Sequence, residues 1–174
     1  MTPYLLSLLA DPQTKIPLKL KDPEYRGDMI VSGFLVSENG KEFPIVNGIP
    51  RFVDDENRTS VESFGDEWNF FNFLSFKSQW LNHTVKNTFG SSKVFKDKII
   101  VDAGGGSGSQ TKWFLESGAK HVILLDLSHS VDDVVKRNLM EFNNVDVIQC
   151  SIDQPPLLNS SIDGIVYCHN VIQH

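Results

Sequence analysis

The stretch Ile99-Ile100-Val101-Asp102-Ala103-Gly104-Gly105-Gly106-Ser107-Gly108-Ser109-Gln110 constrains the fold more than any other part of the chain. An apolar run of strand length passes directly into a glycine-dense turn, and the turn opens a helix pattern. Glycine lets the backbone take positive φ and lets a ligand approach the main chain with no Cβ in the way. The free N–H groups at the start of the following helix can hold a carboxylate or phosphate. Eighteen residues after Gly108, Asp126 closes the next apolar run, where its carboxylate can accept hydrogen bonds from the hydroxyls of a ribose lying across the strand ends. A tight turn with no ligand is the plainer reading of a glycine cluster. The strand before it, the helix after it and the acid on the next strand speak against that reading together.

From residue 98 to 174 the chain alternates between strand and helix patterns and reads as the N-terminal half of a second domain. Strands are expected over 98–102, 121–126, 145–150 and 163–168, with helices from Thr111 to Ser117, stopped by Gly118, and from Ser130 to Phe142. Near-continuous apolar strands separated by helices indicate a parallel sheet covered on both faces, an α/β doubly wound arrangement. Such a sheet usually has more than four strands, so an unpaired apolar edge is expected after the fourth, and the chain reads as a fragment of a longer protein.

The first 97 residues differ in character. Residues 1–53 read as a small β-rich module. Gly33-Phe34-Leu35-Val36 and Phe43-Pro44-Ile45-Val46 flank a turn ending in Asn39-Gly40, and a second Asn47-Gly48 turn leads into Ile49-Pro50-Arg51-Phe52-Val53. So short a module buries little by itself and leans on its neighbour. Residues 54–97 form an aromatic-rich helical connector. Thr59 and Glu62 make a capping-box pattern, and Phe64, Trp68 and Phe71 share a helix face. That face either packs on the next domain or lids a ligand pocket, and both can hold at once.

Composition narrows the function classes. The net charge is −6, with 11 basic against 13 acidic residues over 1–97 and 5 against 9 over 98–174. Neither half carries the basic excess of a protein that neutralises phosphate backbones, so no nucleic-acid partner is expected. No apolar run approaches the ~20 residues of a membrane span, and the N-terminus lacks the basic start and cleavage site of a signal peptide. Cys150 and Cys168 are the only cysteines and form no CxxC pair, which fits a reducing cytoplasm and leaves no thiolate zinc site.

Gly104-x-Gly106-x-Gly108, with Asp102 two residues ahead, resembles the first motif of class I S-adenosylmethionine-dependent methyltransferases, of the methyltransferase type 11 kind. A dinucleotide fingerprint fits less well, because the frame Ala103-x-Gly105-x-x-Gly108 lacks its first glycine. Asp126-Leu127-Ser128 resembles the family's second motif, and residues 163–174 its fourth-strand motif. Cys150-Ser151-Ile152 falls where the family reads adenine, although an acid is common there and this chain has Ser151, with Asp153 two residues on. The resemblance implies S-adenosylmethionine as cofactor, held by Asp102, Ala103, Gly104, Gly105, Gly106, Gly108, Asp126, Leu127, Ser151, Ile152 and His169. It implies methyl transfer to an acceptor, expected to be a small molecule, with no catalytic side chain identified. The alternative is a cofactor-binding or partner-scaffold protein without catalysis; a nicotinamide-dependent oxidoreductase is disfavoured by the glycine spacing.

Residues 1–53 resemble a small zinc-binding module that accompanies methyltransferases, on Leu8-Leu9-Ala10-Asp11-Pro12-Gln13-Thr14-Lys15 and Phe43-Pro44-Ile45-Val46-Asn47-Gly48-Ile49-Pro50. Its four cysteine positions fall on Asp11, Thr14, Val36 and Asn39, so a scaffold without metal is expected. Ser63-Phe64-Gly65-Asp66-Glu67-Trp68 resembles the segment that joins the two parts in fused proteins. His169 and His174 follow the fourth strand near the expected methyl group. The plainer reading has His169 line the cofactor through its backbone and His174 start a helix. Cys168 reads as packing, and Asp132-Asp133 as a solvated first helical turn.

Overall fold

A computed structural model describes residues 1–53, 73–169 and 171. The Thr59–Glu62 capping box, the Phe64, Trp68 and Phe71 face, the 63–68 connecting segment and His174 lie outside the described residues. The chain opens with helix α1 (Pro3–Leu8), started by Pro3 in the first turn and by Thr2, whose hydroxyl accepts from the Leu5 N–H at 3.0 Å. Strands β1 (Lys19–Arg26), β2 (Met29–Val36), β3 (Glu42–Val46) and β4 (Ile49–Pro50) then form an antiparallel sheet in sequential order. Both Asn-Gly turns form as expected, with Gly40, Asn47 and Gly48 all at positive φ. The first strand was not expected: it reads Lys-Leu-Lys-Asp-Pro-Glu-Tyr-Arg and lies almost wholly exposed at the sheet edge. Its register breaks between Lys21 and Glu24, where the bulged backbone passes 3.0 Å from the space a Cβ would occupy on Gly33.

The second half is a parallel sheet in the order β7 (Val145–Gln149), β6 (His121–Asp126), β5 (Ile99–Ala103), β8 (Gly164–Cys168). Helix α2 (Ser109–Glu116) joins β5 to β6. A short 3-10 turn, His129–Val131, and helix α3 (Val134–Leu139) join β6 to β7. α3 is shorter than expected because the chain turns at Asp132 and Asp133. Asp132 is not simply solvated; its carboxylate pairs with Arg51 at 2.5 Å.

Period-two alternation along the strands sorts their apolar side chains into two cores. Ile100, Val122, Leu124 and Tyr167 face α2, α3 and the helical connector over 73–89, in a cluster with Trp80, Phe95, Trp113 and Phe114. Trp80 is the centre of that cluster. Its ring stacks on Phe95 with centroids 5.8 Å apart, and its indole N–H donates to the Tyr167 hydroxyl at 2.9 Å. Val101, Ile123, Leu125 and Ile148 face the other way, and there the expected helical cover is replaced. The N-terminal module fills that side with Leu5, Leu8, Leu9, Ile30, Leu35, Phe43 and Ile45.

The backbone secures this docking. Leu9 pairs with Leu157 as an isolated antiparallel bridge, the Ala10 N–H donates to the Pro156 carbonyl at 3.0 Å, and the Phe52 N–H donates to the Gln149 carbonyl at 2.8 Å. Arg51 and Phe52 thereby extend the parallel sheet past β7. The buried Asp146 on β7 accepts from the Thr2 N–H at 2.8 Å, the Thr2 hydroxyl at 2.5 Å and His121 Nε2 at 3.0 Å. Burial pushes the Asp146 carboxyl up, but the His121 and Thr2 hydrogen bonds outweigh it and hold the group below the usual carboxylate range. A carboxylate with a depressed folded pKa stabilises the fold above its unfolded pKa, and that contribution is lost as pH falls through the folded value. Asp146→Asn should therefore cost about 1–3 kcal/mol at pH 7, and the gap to the parent should narrow towards pH 3, measured by urea unfolding across that range.

Candidate functional site

β5 delivers the glycine turn to the carboxyl edge of the parallel sheet. The Gly104 and Gly105 N–H groups both donate to the Leu125 carbonyl of β6, at 2.7 and 3.1 Å, so the turn folds over the end of the neighbouring strand. Gly104 has φ +77°, and a Cβ there would meet the Val171 side chain at 2.4 Å; one on Gly105 would meet Leu124 at 2.5 Å. These positions are glycine because the turn is pressed between two walls of side chains.

Asp126, at the end of β6, is 7% exposed and ties the loops together. Its Oδ2 accepts from the Gly106 N–H at 2.7 Å, and its Oδ1 accepts from the Ser128 N–H at 2.9 Å and the Ser128 hydroxyl at 2.5 Å. Burial pushes its pKa up against these hydrogen bonds. Two donors fill Oδ1, whereas Oδ2 keeps one lone pair for a further donor. Around this knot, the Ser130 hydroxyl donates to the Gly106 carbonyl at 2.9 Å and Asn138 Nδ2 to the Ser107 carbonyl at 2.9 Å.

Asp102 lies beneath the turn, 1% exposed, accepting from the Thr111 hydroxyl at 2.6 Å. This bond fastens α2 to the end of β5. Burial, with the nearby Asp126 charge adding to it, raises the Asp102 pKa to about 7 despite the Thr111 bond.

A cavity of about 370 Å³ opens above the turn. Gly104, Gly105, Gly106 and His169 reach it from the expected set, facing an aromatic wall of Phe73, Phe76, Trp80 and Trp113. His169 Nδ1 lies 3.3 Å from Gln110 Nε2, and its ring stacks on Tyr167 with centroids 6.0 Å apart. Asp102, Ala103, Gly108, Asp126 and Leu127 lie around the turn but do not line this cavity. Ser151 opens into a second, polar cleft beside the N-terminal module, and Ile152 packs at the margin of the module-side core. Cys150 is buried and its thiol is pushed well up by burial; Cys168 is half-buried and also raised by burial, so neither is poised as a nucleophile.

His83 and Thr84 also line the cavity and went unnoticed in the sequence. They sit in the π-helical turn Trp80–Val85, whose wider winding swings successive side chains to a new face. Helical periodicity is blind to such a turn; the available signal is Trp80 anchoring it. Among the described residues no group of three or more His, Cys, Asp or Glu is placed to hold a metal ion, and no helix is long and apolar enough to cross a membrane.

An acid whose folded pKa lies above its unfolded value weakens the fold as pH rises through the interval between them. Asp102→Asn should therefore flatten the fall in melting temperature between pH 5 and 8, read by thermal denaturation.

Residues 100–174 match the methyltransferase domain family. Among curated proteins, the chain is 27% identical over 124 residues to protein arginine N-methyltransferase 1 of Oryza sativa, covering 66% of this chain and 31% of that protein. It is 26% identical over 136 residues to the protein of that name in Caenorhabditis elegans, covering 74% and 38%. The chain thus spans about a third of the length of these relatives. Among solved structures, a Pyrococcus horikoshii protein assigned as an RNA methyltransferase is 28% identical with a TM-score of 0.41, covering 53% of this chain and 43% of that one. These names correct the expectation of a small-molecule acceptor, since the relatives are named for protein acceptors. The earlier expectation rested on net charge, a whole-chain sum that is silent about the few residues meeting an acceptor. The family match over residues 100–174 supports an S-adenosylmethionine-dependent methyltransferase domain in that part of the chain.

Proposed function

We propose that this chain supplies the cofactor-binding part of an S-adenosylmethionine-dependent methyltransferase acting on a protein side chain. The observation that carries this reading is the glycine-walled cavity opening beside a buried carboxylate at the carboxyl edge of a parallel sheet, the place where such sheets bind ligands. The residues fit the cofactor: Gly104, Gly105 and Gly106 line the cavity with bare backbone, and Asp126 Oδ2 retains one acceptor position. Gly104 to Gly106 would hold the methionine portion and Asp126 a ribose hydroxyl, with Ser151 and Ile152 towards the base. Asp102 would act through Thr111 to position the turn. When bound, the sulfonium supplies an electrophilic methyl group. The chain's own share is orientation and exclusion of water, worth ~7–11 kcal/mol in favourable intramolecular cases.

The protein acceptor is supported by the arginine methyltransferase names among the relatives and by the aromatic wall of the cavity. A flat guanidinium is attracted to the faces of Phe and Trp rings. The N-terminal module would serve as a metal-free scaffold. Two of its turns are closed by side chains at positions that the resemblance matches to cysteines: Asp11 Oδ1 accepts from the Gln13 and Thr14 N–H groups, both at 2.9 Å, and Asn39 Oδ1 from the Lys41 N–H at 3.1 Å. Two free thiols suit the proposed cytoplasmic location.

Calorimetric titration with S-adenosylhomocysteine should show saturable binding that Asp126→Asn weakens about tenfold or more, as expected for losing a charge-assisted hydrogen bond. Unchanged affinity in a folded variant would remove Asp126 from the site. Incubation of the native protein with S-adenosylmethionine labelled on its methyl group should label an arginine-rich peptide. Label appearing only in total RNA would move the acceptor to nucleic acid.

A further inference from the structure

We propose that the N-terminal module is part of the cofactor site, its two polar turns and the 151–154 loop enclosing the adenine ring. The inference rests on the cofactor reading above and extends it to residues outside the methyltransferase domain.

A cleft of about 260 Å³ lies where module and domain meet. The module contributes Asp11, Asn39, Lys41 and Phe52, and the domain contributes Ser151 and Asp153. Unlike the aromatic cavity over the glycine turn, this cleft is dominated by polar groups around the paired rings of Phe43 and Phe52, whose centroids are 4.7 Å apart. An aromatic surface flanked by carboxylates and an ammonium suits a flat heterocycle that has both an exocyclic amine to donate and ring nitrogens to accept. Lys41 Nζ already stands 5.2 Å above the Phe43 ring, at the edge of that surface.

Position supports the same assignment. The cleft lies at the carboxyl end of β7, the glycine turn at that of β5, and Asp126 at that of β6 between them. Neighbouring strands lie about 4.8 Å apart, so the two openings are separated by roughly 10 Å across the strand ends. That is a distance an extended nucleoside carrying an amino-acid tail can bridge, with its sugar at Asp126. The Cys150 N–H donates to the Asp126 main-chain carbonyl at 3.0 Å, and Gln149 Nε2 donates to the Leu127 carbonyl at 3.1 Å, so the backbone around Asp126 and the strand end that leads into the cleft are one hydrogen-bonded unit.

The module wall is held in place by the same residues. Arg51 Nη1 donates to Gln149 Oε1 at 2.9 Å, Arg51 Nη2 pairs with Asp132, and the Lys15 ammonium donates to the Pro155 carbonyl at 2.6 Å. The turn carrying Asp11 is therefore fixed against the loop after β7, and the end of β4 against β7 itself.

The test compares S-adenosylhomocysteine with S-inosylhomocysteine, in which an oxo group replaces the exocyclic amine, by calorimetric titration of the parent chain and of Lys41→Ala and Asp153→Asn. Both substituted residues are exposed, and unchanged melting temperatures confirm folding. The parent should prefer the adenosyl ligand about tenfold, and each variant should lose affinity for it about threefold to tenfold and narrow the preference. Unchanged affinity and preference in the variants would overturn the module's role while leaving the cofactor reading intact. Equal loss for both ligands would overturn it as well, because the variants would then act on something other than the base. Failure of the parent to bind S-adenosylhomocysteine would overturn both readings.

Discussion

A parallel sheet whose strands are apolar on both faces must be covered twice, and every other feature of this chain follows from how that is done. α2, α3 and the connector over 73–89 cover one face. On the other, the first 53 residues, with α1 among them, bring Leu5, Leu9, Leu35 and Phe43 onto Val101, Ile123 and Ile148. The module is thus a wall of the same hydrophobic core, and its turns end up beside the loops at the carboxyl edge because Arg51 and Phe52 continue the sheet past β7.

At that edge Asp126 joins the elements. One buried carboxylate fixes Gly106 of the glycine turn and Ser128 of the next loop, while its backbone carbonyl holds Cys150 at the end of β7. Three loops from three strands are therefore set by a single residue. The glycine turn is a preformed cradle, shaped by Leu124 and Val171 before any ligand arrives.

Much of this was legible in the sequence. The four parallel strands lie where apolar runs placed them; for β5 and β6 the reason is burial on both faces, which demands an almost continuously apolar strand, and the Asn-Gly turns mark their hairpins directly. The glycine turn and Asp126 were legible because their spacing reflects one βαβ unit. Three parts were hidden for physical reasons. β1 is a charged edge strand containing a proline, so it carries no alternation. The cover of the second face is a long-range contact that no local pattern encodes. His83 and Thr84 reach the cavity through a π-helical turn, which breaks the periodicity a helix is recognised by. Ser151 was named from resemblance, but only the fold revealed that it opens towards Asp11 and Lys41.

The docking contacts join the two extremes of the described chain. Thr2 bonds to Asp146, 144 residues away, and Leu8 to Ala10 meet Pro156 to Leu158. A ribosome must therefore make nearly the whole of this stretch before Thr2 and Leu8 to Ala10 find these distant partners. Until then Leu5, Leu8 and Leu9 have only the module's own side of their core, and the central strands wait with one face uncovered. High sequence separation of this kind slows folding and lengthens the exposure of apolar surface. The same arrangement makes assembly of the carboxyl edge a late event, so a nascent chain gains its enclosed cleft only after the sheet and its cover have closed on each other.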